Sequence, residues 1–342
     1  MPISIGTTGA TGMITLSTSL GVGLLSALGL TLLAIRFGRV AMDDPGTLAI
    51  HATPTPRTGG LAICGALLAA LAAAMWVGRS GLSTRLWGFL AGGSIFALTG
   101  LWDDARSLRP WERVLLECLG GALLVLSGTR MHLTGLWPVD SGLTVLYLVG
   151  AANAMNLLDG MDGLASGVAG IAAAFLAAVA LACGQRWCAV CSLALLGACL
   201  GFLPYNFHRA RIFMGDAGSL FLGFTLAALS ISVTAGAGGF QAALIPVLLL
   251  GLPWFDTTLT VARRLLDHRS LFTGDRGHFY DQLVDRGLSQ KQAVLVCYGL
   301  SAVFGGTALL LRFVPFVVAG PVIALQVIAL AGLVWRQNLL QM

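Results

Sequence analysis

Eleven apolar runs divide the chain, at roughly 14–35, 59–78, 86–101, 113–128, 141–153, 164–183, 187–203, 218–235, 240–260, 292–311 and 314–335. A helix crossing the hydrocarbon core needs about 20 apolar residues, somewhat fewer inside a bundle. The pattern predicts an all-α, polytopic membrane protein of about eleven transmembrane helices, a single domain over residues 1–342. The fifth run is short, and the ninth holds Pro246 and Pro253, which predict a kink. Composition agrees: 57% of the 342 residues are hydrophobic and 10% are charged, against about 25% charged in a soluble domain. Nothing resembling a separate soluble domain remains, and the longest polar segment is about 263–291. Residues 1–13 carry no basic n-region of the kind a secretory signal needs.

Orientation follows from the basic residues. With the N-terminus outside and the C-terminus in the cytoplasm, Arg36, Arg39, Arg57, Arg106, Arg109, Arg113, Arg209, Arg211, Arg263, Arg264, Arg269, Arg276, Arg286, Lys291 and Arg336 fall inside. Only Arg79, Arg85, Arg130, Arg186 and Arg312 fall outside, and this bias sets topology in short loops. Of the fifteen acids, Asp140 alone lies in an outer loop. The positive-inside rule does not require acids to follow the arginines. A polar active site at the cytoplasmic face accounts for the coincidence, and salt-bridged loops account for part of it.

Five cytoplasmic segments carry the polar chemistry. Asn153-Ala-Met-Asn-Leu-Leu-Asp-Gly-Met-Asp-Gly163 spaces Asn153, Asn156, Asp159 and Asp162 three residues apart. Uncompensated carboxylates beside hydrocarbon are costly, so such a cluster calls for a cation or a function. The spacing suits one drifting helical stripe, while Gly160 and Gly163 suit a broken turn close to a ligand. Asp103 and Asp104 end the third run; adjacent acids suit a divalent metal or a general base, unless Arg106, Arg109 and Arg113 simply neutralise them. Asp216, between Gly215 and Gly218, starts the eighth run, where it fits a Mg²⁺ ligand or a plain helix cap. Pro54-Thr-Pro-Arg57 is a turn leading into the second run. The segment Asp275-Arg-Gly-His-Phe-Tyr-Asp281 mixes donors, a histidine and aromatics, as a sugar- or phosphate-contacting lid would. Cys188-x-x-Cys191 has metal-ligand spacing but no second pair, and reads as two small helix residues. Acids, arginines and apolar surroundings together describe phosphoryl chemistry on a lipid.

These motifs, with Asn206-Phe-His-Arg-Ala-Arg-Ile-Phe-Met-Gly-Asp-Ala-Gly-Ser-Leu220, resemble the polyprenyl-phosphate N-acetylhexosamine-1-phosphate transferases in order and over about residues 36–312. The bacterial branch that makes undecaprenyl-linked GlcNAc is the nearest in pattern. The resemblance implies transfer of a HexNAc-1-phosphate, GlcNAc-1-phosphate foremost, from a UDP-sugar to undecaprenyl phosphate with release of UMP. It implies Mg²⁺, or Mn²⁺ in its place, a bacterial inner-membrane location with the site facing the cytoplasm, and a homodimer. No nucleic-acid partner is expected. By motif, Asp216 and Asp104 become the metal ligands, and Asp103, Asp104 and His278 the catalytic residues. Asn156, Asp159, Asp162, Asn206, Arg211, Arg276, Arg57 and Arg113 become the substrate contacts.

Two departures bear on the branch. The family's H-x-H-H element reads His278-Phe279-Tyr280-Asp281 here, and no lysine stands near the Pro-Thr-Pro turn. Both favour the GlcNAc branch over the lipid I enzyme, phospho-N-acetylmuramoyl-pentapeptide transferase. A transporter would gather its acids near the bilayer midplane, whereas these collect at one face.

Overall fold

The computed structural model describes residues 9–37, 42–43, 55–78, 83–235, 239–269 and 277–340. In chain order it contains α1 (Gly9–Phe37), β1 (Met42–Asp43), β2 (Thr55–Pro56), α2 (Gly59–Gly78), α3 (Thr84–Arg106), α4 (Pro110–Leu126) and α5 (Trp137–Leu158). There follow α6 (Leu164–Ala182), α7 (Arg186–Asn206), α8 (Gly215–Thr234), α9 (Phe240–Leu249), α10 (Gly251–Leu266), α11 (Phe279–Asp285), α12 (Gln290–Phe313) and α13 (Phe316–Arg336). Apart from one antiparallel pairing, Met42 with Pro56 and Asp43 with Thr55, the described residues are an all-α assembly.

Each expected run lies on a helix, but not all of these helices meet the requirements of a span. Eight are long and apolar enough to cross a membrane: α1, α2, α5, α6, α7, α8, α12 and α13. The pair α9 and α10, bent by 82°, would make a ninth. The fifth helix is longer than the run suggested, 22 residues rather than the stretch 141–153. The kink expected near Pro246 and Pro253 is a full break at Leu250. Pro253 has no N–H for the Leu249 carbonyl, and its ring crowds that carbonyl, so the first helix cannot continue.

Helix α8 is the axis of the bundle, packing on α2, α3, α5, α6 and α9. Small residues let backbones approach where lipid supplies no hydrophobic drive between helices. At Gly100 of α3, a Cβ would strike the backbone of Asp216 and Ala217, so only glycine lets α3 lie on the first turn of α8. That contact brings Asp103 and Asp104 beside Asp216. At the periphery, α13 packs on α12 and leaves most of its apolar surface outward. Exposed apolar area on that scale marks a surface that meets lipid or another protein. All seven cysteines are unpaired, and Cys188 and Cys191 are buried in α7, with no metal-ligating group of three or more side chains among the described residues.

Candidate active site

The short link between α3 and α4 builds the first half of the site. Asp103 accepts the Leu108 N–H at 2.7 Å, and the Arg109 N–H donates to Glu112 at 2.9 Å. Pro110 sits at the first helical position, where its missing N–H costs nothing. The chain therefore reverses tightly, and Arg113 in the first turns of α4 faces back toward the end of α3.

Arg113 joins four helices. Its Nη1 donates to Asp103 at 3.0 Å and its Nε to Glu117 at 3.1 Å. Its Nη2 donates to Asn153 at 3.0 Å and to Asn156 at 2.8 Å. Asp216 lies 3.7 Å from Nη1. Asn156 in turn donates to Asp216 at 2.8 Å and to the Ser219 hydroxyl at 2.9 Å. Asn153 donates to the fully buried Glu117. A planar guanidinium with a fixed fork of donors suits such a junction.

Both readings of the 153–163 stretch hold, each for half of it. Helix α5 continues to Leu158, so Asn153 and Asn156 share one face and meet the same arginine. The chain then breaks into a turn that restarts as α6 after Gly163, whose φ is 76°. Asp159 and Asp162 lie in that turn. Asp162 accepts the Ala210 N–H at 3.1 Å and stands 3.7 Å from His208. Asn206 ties the same turn to the next loop: its oxygen accepts from the Gly163 N–H and the Ser166 hydroxyl, and its amide donates to the Ile212 carbonyl.

The start of α8 completes the site. Gly215 has φ 72°, and a side chain there would press on the Arg57 carbonyl and the Asp104 carboxylate. The Asp216 and Ala217 N–H groups donate to the two Asp104 oxygens at 3.1 and 3.2 Å. A carboxylate at a helix N-terminus satisfies orphan donors and meets the positive end of the dipole. The Pro-Thr-Pro-Arg turn docks on the same loop: Phe213 donates to the Pro56 carbonyl at 2.8 Å, and Gly60 to the Met214 carbonyl at 2.8 Å.

Negative charge outweighs positive charge in this group. Burial, then the Asp216 carboxylate, pushes the Asp104 carboxyl up to about 6. Burial, then Asp216 and Asp104, holds Asp159 well above the usual carboxylate range, with Arg57 working in the opposite sense. Such shifts mark crowded acids that a cation would relieve. Among the described residues, no three Asp, Glu, His or Cys side chains form a ready cage. Asp104 and Asp216 are hard oxygen donors, the kind a cation that fills the rest of its shell with water and phosphate could use.

The other expected residues lie outside the Arg113 hydrogen-bond cluster. Arg57 is exposed at the head of α2. Arg211 lies over the Tyr205 ring, 5.9 Å from its centroid, rather than in the Arg113 cluster. His278 is buried and paired with Asp256 at 2.8 Å. Arg276 falls outside the described residues. Sequence reasoning gave no role to Glu117, Ser219 or Asp256, and placed Asn153 in the polar stretch without naming it a substrate contact. For Glu117 a signal existed: a lone acid inside an apolar run, four residues after Arg113, is a helical i,i+4 pair.

Comparison with known proteins agrees with this architecture. The family described as "Glycosyl transferase family 4" matches residues 86–234, the segment from α3 to α8 that carries the Arg113 cluster. The chain is 35% identical over 292 residues to the probable undecaprenyl-phosphate N-acetylglucosaminyl 1-phosphate transferase of Bacillus subtilis, covering 82% of this chain and 79% of that protein. It is 32% identical over 301 residues to the decaprenyl-phosphate N-acetylglucosaminephosphotransferase of Mycobacterium tuberculosis, covering 78% and 74%. A phospho-N-acetylmuramoyl-pentapeptide-transferase of Lactiplantibacillus plantarum matches a shorter part, 52% of this chain and 61% of that protein, at 35% identity. The chain therefore belongs to glycosyl transferase family 4, among the polyprenyl-phosphate N-acetylhexosamine-1-phosphate transferases.

Proposed function

We propose that the protein transfers GlcNAc-1-phosphate from UDP-GlcNAc to undecaprenyl phosphate and releases UMP, as the first membrane step of a cell-envelope polysaccharide. The observation that carries this reading is the convergence of Asp103, Asp216, Asn153 and Asn156 on one arginine, within a chain whose long relatives bear GlcNAc-phosphotransferase names. The lipid I enzyme is the second reading, supported by a match over half the chain.

Topology belongs to the same proposal. Eleven crossings, with α3 and α4 counted and α9–α10 taken as one bent span, put the N-terminus outside and the C-terminus in the cytoplasm. Fifteen of the twenty basic residues then lie inside. The Asp103, Asp104, Asp159 and Asp216 ends of their helices meet at that face, in a bacterial inner membrane, where a soluble nucleotide sugar and a lipid phosphate can both arrive.

In the reaction, an oxygen of the lipid phosphate attacks the sugar-bearing phosphorus of the donor. The bond from that phosphorus to the bridging oxygen breaks, and UMP departs with the electron pair. Most of the catalysis in such a transfer is alignment and charge stabilisation. Asp103, held by Arg113 and the Leu108 N–H, is the base that keeps the incoming phosphate oxygen deprotonated in this reading. Arg113 and Arg57 offset phosphate charge, and Asp159, Asp162 and Asn206 shape the nucleotide side. Asp216, with Asp104 in support, would hold Mg²⁺ or Mn²⁺, which supplies Lewis-acid charge for the diphosphate.

The test is turnover in isolated membranes with undecaprenyl phosphate and a panel of UDP-sugars, including UDP-GlcNAc and UDP-MurNAc-pentapeptide. UMP release with a lipid-linked product is expected for UDP-GlcNAc, and Asp216→Asn and Asp103→Asn should each abolish it. Near wild-type turnover in both variants would sink the assignment.

A further inference from the structure

A second buried carboxylate stands apart from the Arg113 cluster. Asp256, in α10 just beyond the 82° break, is fully enclosed. In an apolar bundle an unpaired acid is expensive, so its partners are informative. One oxygen accepts the Phe279 N–H at 2.7 Å, and the other lies 2.8 Å from the Nδ1 of His278. The Thr260 hydroxyl stands 3.3 Å from the same nitrogen.

The His278 ring is held on its face as well. It stacks on Tyr280 with centroids 5.3 Å apart and planes within 3° of parallel. The Tyr280 hydroxyl donates to the Leu157 carbonyl at 3.0 Å, at the end of α5 beside Asp159. Gly160 gives that hydroxyl its room, since a Cβ there would collide with it. Tyr280 stands at a place where the family's H-x-H-H element has histidine. Here that place fastens the histidine before it to the turn that holds Asp159.

We infer that Asp256 is a positioning residue for His278. It takes the Nδ1–H and so fixes the tautomer and plane of the ring. Whatever His278 does toward a donor diphosphate, it then does through Nε2. The geometry argues for this assignment. An ionised carboxylate only accepts, and the oxygen facing the ring needs a donor, while a neutral imidazole has one N–H to give. The bond at one ring nitrogen decides what the other nitrogen presents. A carboxylate behind the ring also stabilises the imidazolium if Nε2 takes up a proton. A purely structural tie between α10 and α11 would need only the Phe279 N–H contact. The inference rests on the transferase reading for the role of His278, but not for its tautomer.

Two measurements test it. In protein labelled with ¹⁵N-histidine and held in lipid nanodiscs, the His278 signals are identified by their loss in His278→Gln. A proton on Nδ1 is expected at neutral pH, and a bare Nδ1 overturns the inference. The second measurement is a cycle of Asp256→Asn, His278→Gln and the double variant, assayed with UDP-GlcNAc and undecaprenyl phosphate. His278→Gln is expected to lower kcat by at least about 10²-fold, the lower range for losing a positioned proton-transfer group, and Asp256→Asn by at least about tenfold, as loss of a partner that orients a histidine does. The double variant should match His278→Gln within about threefold, because coupled residues do not add. Independent, multiplied losses would overturn the inference. If Asp256→Asn does not fold, Asp256→Glu takes its place in the cycle, and the tautomer measurement needs no change at Asp256. Wild-type protein inactive with every UDP-sugar would refute the transferase reading, whereas a bare Nδ1 in active protein would refute this inference alone.

Discussion

Replacing Arg113 with lysine keeps the positive charge and removes the fork, so it separates charge from geometry at the centre of the site. The guanidinium makes four hydrogen bonds of 2.8–3.1 Å, to Asp103, Glu117, Asn153 and Asn156. These partners come from α3, α4 and α5 and surround the group on different sides. One ammonium cannot reach across them, so at least two bonds are lost. Hydrogen bonds to charged groups are worth about 1.5–3 kcal/mol each, which sets the loss at no less than about 3 kcal/mol. Expressed in the transition state, at about 1.4 kcal/mol per tenfold, that is a fall of about 10²-fold in kcat/KM. Initial rates of UMP release, with each substrate varied in turn, measure it. Because Arg113 orients Asp103 and Asn156, and through Asn156 Asp216, the fall should lie mostly in kcat. Combining Arg113→Lys with Glu117→Gln should cost less than the product of the two single effects, since the pair shares a bond. An Arg113→Lys enzyme within about fivefold of wild type in kcat/KM would refute the junction as a catalytic scaffold.

Three further outcomes follow from the same geometry. Gly215→Ala forces a left-handed residue and presses a methyl on Asp104 and the Arg57 carbonyl; it should cost at least about 1–2 kcal/mol and reduce turnover, read by thermal unfolding in detergent and by UMP release, and an unchanged midpoint with full activity would refute the close approach. Asn206→Ala removes three bonds of a buried side chain and should destabilise the protein by about 2–4 kcal/mol at about 1 kcal/mol or more per bond; loss of less than about 0.5 kcal/mol would contradict its tying role. The Asp104 carboxyl, raised from 3.8 to about 6 by burial and by Asp216, holds its proton more tightly folded than unfolded. On its account the metal-free protein loses stability as pH rises from about 4 to about 6, and cation binding strengthens over the same range with proton release. Mn²⁺ titrations followed by paramagnetic resonance at pH 5 and pH 7.5 check this, and equal affinities at the two values would refute it.

What the chain discloses by itself follows from the range of the forces involved. Apolar runs report helices because a helix satisfies its own backbone over a local stretch, and all eleven runs lie on helices. Helix boundaries were less legible: α5 starts at Trp137, where Pro138 at its start and Asp140 in its first turn are good helix openers that a hydropathy reading discounts, and it runs on to Leu158. The break at Leu250 was legible as a kink but not as an 82° turn, since its angle depends on what α10 packs against.

Several of the polar residues that meet at Arg113 were legible by type, but their wiring was not. Asn153 and Asn156 announce a shared face by spacing alone, and Asp103 and Asp104 announce a polar helix end. That Arg113 would join them depends on distances through space between residues 40 and 43 positions apart, which no local pattern encodes. Asp256 shows the same limit more sharply: read along the chain it is one acid near a helix end, 22 residues before its histidine. The α9–α10 break turns α10 so that this acid faces α11, and burial then makes a partner obligatory. Each functional pairing missed in the sequence joins residues from separate helices or from different turns of the chain, whereas the Glu117 pairing with Arg113, local to α4, could have been read from an i,i+4 spacing. Residue types therefore predict what chemistry a membrane bundle can carry, while the helix crossings decide which acid meets the arginine and which meets the imidazole.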